Sequence, residues 1–315
     1  MSRHLPPRTR RTRALAGAWL AVAAVLASCG EPADPAAEPT PLPSRSTPST
    51  SESSASDAPP TSAPATSDMY DVGGHDLYMT CSGEGPVTVV FIHGWVNDPG
   101  FVPHAYTEGV ASFLVDDYRV CAYDRRNVGS SETVDAVQTR ADMVRDMERV
   151  LAAGRVRPPY ILWAGSFGGL VAAAYLEDHP DDVVGMVLVD SMFPDELRLD
   201  PLLPKRFRFL HFTEEDTCCT VERISQYDLI RSLQDGIGEE PDIPVVYLAS
   251  EQEPRDQNDF ESPRYDARIL DAQAAYVDRF SPGILRWVDA PHWMEPVVPE
   301  VIADAVREVD ALRGR

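Results

Sequence analysis

The chain is poor in positive charge and in cysteine. It has 315 residues and a net charge of −22, with 28 basic against 50 acidic side chains and five cysteines. Only one of the basic residues, Lys205, is a lysine. A chain this acidic lacks the basic surface that nucleic acids and anionic lipid headgroups require, so we expect no nucleic-acid partner and no docking on lipid through a basic patch.

Long apolar runs are also scarce. The longest is Ala14–Ala27, which follows an arginine cluster. A run of this length is too short to span a bilayer, for which about 20 apolar residues are needed, and it has the size of a signal-peptide core. It ends in Leu26-Ala27-Ser28-Cys29-Gly30, which resembles the lipobox of bacterial lipoproteins. The resemblance implies cleavage after residue 28 and lipidation of Cys29; ordinary signal cleavage nearby is the alternative.

Residues 29–68 lack any periodic apolar face. Thirty of the 39 residues from 30 to 68 are Pro, Ser, Thr or Ala. Such a composition cannot bury enough apolar surface to offset the entropy of ordering, so an extended tether is expected. The predicted organisation is a signal segment over 1–28, a lipid-anchored tether over 29–68 and one folded domain over 69–315. The predicted location is the cell envelope, on the outer face of the membrane.

The rest of the chain alternates short apolar runs with amphipathic segments. Most of six short runs have the continuous apolar character of strands buried on both faces. The six are Val87–Ile92, Tyr118–Tyr123, Tyr160–Trp163, Gly185–Val189, Pro244–Leu248 and Gly283–Val288. This alternation predicts an α/β fold with a mostly parallel sheet covered by helices on both faces. Residues 194–240 break the rhythm and predict an insertion, which is either a short lid or a pair of surface helices.

The strongest chemical signal is a serine between a strand and a helix. Tyr160–Gly165 is apolar, Ser166 follows, and Phe167-Gly168-Gly169 leads into a small-residue helix. This strand–turn–helix context resembles the nucleophile elbow of the α/β-hydrolase superfamily. Strand and helix backbones nearly touch at such a turn, so the residues two before and two after the serine must be small. Gly168 meets this requirement, and Ala164 stands where glycine is usual.

Two further motifs of residues 70–315 support the same resemblance. Phe91-Ile92-His93-Gly94-Trp95 is similar to the family's His-Gly turn, and Asp124–Ser131 is similar to its Asp-Arg…Gly-x-Ser loop. Within that loop, Asn127 stands where glycine is common, and asparagine tolerates the left-handed backbone best after glycine. The resemblance implies an α/β-hydrolase fold with a triad in the order serine, acid, histidine.

Elimination among the seven histidines selects His292 as the base. His4, His75, His93 and His104 precede Ser166, His179 ends the helix after it, and His211 lies in the insertion. His292 comes just after the last apolar run, in a stretch similar to the family's histidine loop. The resemblance places the acid on Glu253, after the strand at 244–248, with Glu251, Asp256 and Asp190 as alternatives.

The resemblance also implies the remaining parts of the site. The backbone N–H groups of Trp95 and Phe167 would form the oxyanion hole. The strands that contain Cys81 and Cys121 would be neighbours, which predicts a disulfide between them, with two free thiols as the alternative; Cys218 and Cys219 are left without an assignment. No metal-ligand spacing or phosphate-binding loop occurs, so no metal and no cofactor are expected.

These features predict a serine hydrolase that cleaves an ester or related acyl bond of a small molecule. A peptidase or thioesterase on the same fold is the first alternative, because the leaving group is selected by the pocket rather than by the triad. A binding lipoprotein without catalytic activity is the second.

Overall fold

The computed structural model describes residues 65–98, 100–203, 208, 220–235, 241–252 and 263–313. The described strands are β1 Thr66–Asp71, β2 Asp76–Ser82, β3 Thr88–Ile92, β4 Arg119–Tyr123, β5 Tyr160–Gly165, β6 Val183–Val189, β7 Val245–Ser250 and β8 Gly283–Val288. The described α-helices are α1 Glu108–Ala111, α2 Arg140–Ala153, α3 Gly168–Asp178, α4 Gln226–Asp235, α5 Pro263–Val277 and α6 Pro299–Leu312. Short 3₁₀ helices span Pro103–Thr107, Pro194–Arg198 and Asp200–Leu202.

The strands form one sheet in the order β1-β2-β4-β3-β5-β6-β7-β8. Strands β3 to β8 run parallel to one another, whereas β2 is antiparallel to both β1 and β4. The predicted α/β fold with a mostly parallel sheet is therefore confirmed. The antiparallel β1 begins at Thr66, three residues before the domain boundary expected from composition.

Alternate residues of the central strands supply two separate cores. On β5, Leu162 and Ala164 pack into the core beneath α2 and α3, while Ile161 and Trp163 pack into the core beneath α6. Every residue of β5 is buried. Because side chains of a strand point alternately to its two faces, a strand between two helical layers must be apolar throughout.

Local sequence determines where helix α2 begins and which of its faces is buried. Thr139 caps its N-terminus: the Thr139 hydroxyl accepts a hydrogen bond from the Asp142 N–H, and the Asp142 carboxylate accepts one from the Thr139 N–H. This reciprocal arrangement satisfies two N–H groups that have no intrahelical partner. Met143, Met147, Val150 and Leu151 form an apolar stripe along the helix, and all four are buried.

The structure contains the expected disulfide between Cys81 and Cys121. The two residues are direct register partners on the antiparallel strands β2 and β4. Both are buried, so the bond is shielded from solvent reductants. It ties β2 to β4, the strand that leads into the loop beginning at Asp124.

The insertion after β6 is described only in part. It includes the two 3₁₀ helices that follow Phe193, the segment 220–225 and helix α4. Cys29, Cys218 and Cys219 lie outside the described residues. In the described part of the chain, no helix is long and apolar enough to cross a membrane.

Candidate active site

Ser166 lies on a sharp turn between β5 and α3. Its φ is 49°, a left-handed value that residues other than glycine rarely adopt. The turn is tight enough that a Cβ added to Gly168 would lie 2.2 Å from the carbonyl oxygen of Ile92. Helix α3 therefore begins in contact with the end of β3, and this contact leaves no room for a side chain at position 168. The strained serine and this close contact are the geometry of a nucleophile elbow.

Ala164 is accommodated at the upstream position of the elbow. It is fully buried, and its carbonyl oxygen accepts a hydrogen bond from the Ser191 hydroxyl at 2.7 Å. The extra methyl group relative to glycine therefore fits within the core.

His292 follows β8 and is held by an acid that follows β6. The Nδ1 atom of His292 lies 2.7 Å from Oδ2 of Asp190. The other oxygen of Asp190 accepts a hydrogen bond from the Ser250 N–H at 3.1 Å. Because an ionised carboxylate only accepts hydrogen bonds, Nδ1 of His292 is the donor and the basic lone pair lies on Nε2.

Asp190 is one of the alternatives that the sequence left open for the acid. Glu253 and Asp256 lie outside the described residues. Glu251 is exposed. Of the four candidates, the described structure therefore brings Asp190 to His292.

Ser166 and His292 line the same narrow pocket. Gly94, from the turn after β3, lies beside the nucleophile: a Cβ added there would be 3.0 Å from the Ser166 Cβ. The apolar part of the lining is largely aromatic and comes from Phe91, Phe101, Tyr106 and Trp293. Trp293 is 45% exposed and lies at the edge of this aromatic group. An apolar acyl or leaving group would fit against these rings.

The residues expected to form the oxyanion hole flank the nucleophile. Phe167 directly follows Ser166 and occupies the N-cap of α3, so its N–H has no acceptor within the helix. Trp95 directly follows Gly94, which lines the same pocket as Ser166. The structure thus brings the two chain segments with the expected donors close to one serine.

His93 is a structural residue. It is buried, its Nδ1 lies 2.7 Å from the Gly94 carbonyl oxygen, and its Nε2 accepts a hydrogen bond from the Arg125 N–H at 3.2 Å. Burial, reinforced by the Arg125 charge, holds the pKa of His93 well below its ordinary value. A neutral imidazole with both nitrogens engaged cannot act as the base.

Sequence reasoning did not identify Glu295 as a site residue. This carboxyl group lines the pocket and is 5% exposed. One of its oxygens lies 2.9 Å from the position of a Cβ added to Gly165, the residue before the nucleophile. Burial raises the pKa of Glu295. Its position three residues after His292 was the available signal, but spacing alone does not show which way a loop side chain points.

The described residues contain no cluster of side chains that could hold a metal ion. The pocket lining includes the polar side chains of Ser166, His292 and Glu295. These groups suit proton transfer and nucleophilic attack.

Comparisons with known proteins agree with this geometry. A model of the α/β-hydrolase fold family matches residues 87–215. The bromoperoxidase structure from Bacillus anthracis superposes with a TM-score of 0.54 at 16% identity, covering 78% of this chain and 100% of that one. The chain therefore has the α/β-hydrolase fold.

Two curated relatives match over shorter stretches. The proline iminopeptidase of Neisseria gonorrhoeae is 32% identical over 120 residues, which are 36% of this chain and 36% of that protein. The uncharacterized protein YqjL of Bacillus subtilis (strain 168) is 29% identical over 113 residues, which are 36% of this chain and 43% of that protein. The matched region thus spans less than half of either relative.

Proposed function

We propose that this protein is a serine hydrolase that cleaves an ester or related acyl bond, with Ser166 as nucleophile, His292 as base and Asp190 as triad acid. The observation that carries the proposal is the 2.7 Å contact between His292 and Asp190 in a pocket that also contains Ser166. A nucleophile, a base and a group that orients the base are the three parts that activated serine chemistry requires.

The proposed reaction has two stages. Nε2 of His292 takes the proton from the Ser166 hydroxyl as its oxygen attacks the acyl carbonyl. The N–H groups of Trp95 and Phe167 donate to the resulting oxyanion, and Asp190 stabilises the imidazolium. His292 then gives its proton to the leaving group. Water, activated by the same histidine, hydrolyses the acyl-enzyme and releases Ser166.

A peptidase is the second candidate function, and Glu295 is the observation that favours it. A buried carboxyl group among aromatic side chains would bind the amine of a substrate whose remaining surface is apolar. A relative named proline iminopeptidase is consistent with this candidate.

The test is covalent labelling followed by a substrate panel. A fluorophosphonate probe should label the wild-type protein and leave Ser166→Ala unlabelled. The panel then compares p-nitrophenyl esters of graded acyl length with aminoacyl p-nitroanilides. Turnover of esters alone supports the first candidate, and turnover of anilides that Glu295→Gln lowers supports the peptidase. A wild-type protein that resists the probe would contradict both and favour a binding protein.

We also propose export and lipid anchoring through Cys29, with the tether over residues 29–68 between the anchor and the enzyme. The lipobox-like sequence supports this proposal, and so does a disulfide, which is typical of oxidising compartments. Wild-type protein should partition into detergent, and a Cys29→Ser variant should remain in the aqueous phase. Aqueous partitioning of both would contradict the anchor.

A further inference from the structure

A buried ion pair between Arg125 and Glu222 is hydrogen-bonded to the turn that follows β3. Arg125 is 2% exposed and Glu222 is fully buried. The Arg125 Nε donates to one oxygen of Glu222 at 2.8 Å, and its Nη2 donates to the other at 3.1 Å. This two-point geometry fixes both side chains, because the planar guanidinium matches the carboxylate.

Arg125 also holds two carbonyl groups of the turn. Its Nη1 donates to the His93 carbonyl oxygen and its Nη2 to the Gly94 carbonyl oxygen, both at 2.7 Å. Glu222 holds the next peptide along, since its Oε1 accepts from the Val96 N–H at 2.6 Å. The pair therefore holds the peptide units on both sides of Trp95 through hydrogen bonds.

Peptide planarity converts these contacts into an orientation for the Trp95 N–H. The Gly94 carbonyl and the Trp95 N–H belong to one planar unit and point in opposite directions. Fixing the Gly94 oxygen toward Arg125 fixes the Trp95 N–H on the opposite side of that plane. The Val96 contact fixes the following unit, so Trp95 cannot rotate about its own backbone without breaking a buried hydrogen bond.

The same guanidinium contacts the residue that supplies the other proposed donor. The Arg125 Cζ lies 5.3 Å from the centre of the Phe167 ring, within the range of a cation–π interaction. Phe167 is fully buried. One side chain thus touches both segments from which the proposed oxyanion donors come.

Glu222 reaches this position from the insertion after β6. Its carbonyl oxygen accepts a hydrogen bond from the Gln138 side chain at 2.5 Å, and the neighbouring Arg223 carbonyl accepts from the Gln138 N–H at 2.7 Å. These bonds fix the segment 220–225 to the residues before α2. The insertion therefore contributes the Glu222 side chain to the contacts of the turn after β3.

We infer that Arg125 and Glu222 are positioning residues that hold the oxyanion hole in its working geometry. The inference rests on the proposed function, because it needs Trp95 and Phe167 as donors. A buried ion pair is seldom more stabilising than apolar side chains of the same volume. The hydrogen bonds from Arg125 and Glu222 to the peptide units on either side of Trp95 give this ion pair a role in catalysis.

The test is steady-state kinetics of Glu222→Gln and Arg125→Lys on the ester that the wild type cleaves best. Each variant should lose about 10- to 100-fold in kcat with KM changed by less than about threefold, because the oxyanion contacts strengthen in the transition state. The inhibition constant of an arylboronic acid, which forms a tetrahedral adduct on the serine, should rise in parallel with the loss in kcat. Active sites are counted with the fluorophosphonate probe, so unfolded protein does not enter kcat.

The matched control is Asp146→Asn. Asp146 forms a second buried pair with Arg126, the residue after Arg125, and this pair lies away from the pocket. The control should lower the melting temperature while kcat stays within twofold of wild type. If Glu222→Gln does not fold, the double variant Arg125→Gln/Glu222→Gln leaves no unpaired charge, and its kcat should be equally low.

Two results separate the inference from the proposed function. A labelled, active wild type together with a Glu222→Gln variant of unchanged kcat and boronate affinity would overturn the positioning role alone. A wild type that neither labels nor turns over any ester or anilide would overturn both.

Discussion

Asp190 holds His292 from a position at the end of β6, across the sheet from β8, with 2.7 Å between the carboxylate oxygen and the imidazole Nδ1. The aspartate has a left-handed backbone, with φ of 41°. In the proposed triad, the group that orients the base therefore comes from the end of β6 rather than from the end of β7.

Asp190→Asn should lower kcat by about 10⁴-fold, the order of loss when a triad acid is neutralised. The amide cannot stabilise the imidazolium and favours the wrong tautomer of His292. Glu253→Gln and Glu251→Gln are the matched comparisons and should retain nearly full activity in the same ester assay. A larger loss in Glu253→Gln than in Asp190→Asn would move the acid to Glu253.

Gly168→Ala should destabilise the protein by about 1–3 kcal/mol or more, because the added methyl would lie 2.2 Å from a backbone oxygen that cannot move freely. Gly109→Ala is the control: the atom nearest to its added Cβ is 3.6 Å away, and α1 should gain about 0.5–1 kcal/mol. Urea denaturation measures both. Equal stability of the two variants would contradict the close contact between α3 and β3.

Glu196→Gln should reduce the loss of stability that the wild-type protein shows as the pH rises. Burial, together with the Asp190 charge, raises the pKa of Glu196 to about 8 from its ordinary value of 4.5. Between these values the unfolded chain has released the proton while the folded protein still binds it, so ionisation favours unfolding. The stability of the wild type should therefore fall from about pH 5 to about pH 8, and then level off.

Melting temperatures across this pH range test the Glu196 prediction. The melting temperature of the variant should rise relative to that of the wild type as the pH increases. The glutamine side chain keeps the native hydrogen bond, since it can still accept from the Phe193 N–H. Glu148→Gln, which changes an exposed glutamate of α2, should follow the wild-type curve. Parallel curves for wild type and Glu196→Gln would contradict the raised pKa.

Replacing both Cys81 and Cys121 by serine should cost about 4 kcal/mol, the loop-closure value for a bridge that spans 40 residues. The measurement is the free energy of unfolding in guanidinium. Thiol titration gives a second readout: in the folded protein neither sulfur should react with a thiol reagent even after mild reductant treatment. In a Cys29→Ser/Cys218→Ser/Cys219→Ser background, which leaves only Cys81 and Cys121, two reactive thiols in the untreated, unfolded protein would show that the bridge does not form.

Strands β3 to β8 could be predicted from sequence because each lies in a mostly apolar run. Two elements without a clear pattern were missed. The edge strand β1 is almost wholly exposed, so its residues resemble a linker, and α5 lies in a segment that showed no marked stripe. The predictions were accurate where burial on both sides determines composition, and incomplete at the edges of the domain.

The site was predictable only as far as local motifs extend. Ser166 lies in a motif whose spacing is dictated by steric contact, and His292 followed from chain order. The acid could not be decided, because Asp190 and Glu253 both come after strands and the choice depends on where the histidine loop reaches. The Arg125–Glu222 pair joins residues 97 positions apart, and no local pattern records such a contact.

Ser166 and Asp190, the proposed nucleophile and triad acid, both have a left-handed backbone, which lowers the stability of the fold. Each residue holds a conformation that costs of the order of 1 kcal/mol for a side chain bearing a Cβ. Glycine at either position would relieve this cost and abolish turnover. Random mutagenesis screened for thermal resistance alone would therefore enrich inactive proteins, whereas a screen for hydrolysis would preserve both strained residues.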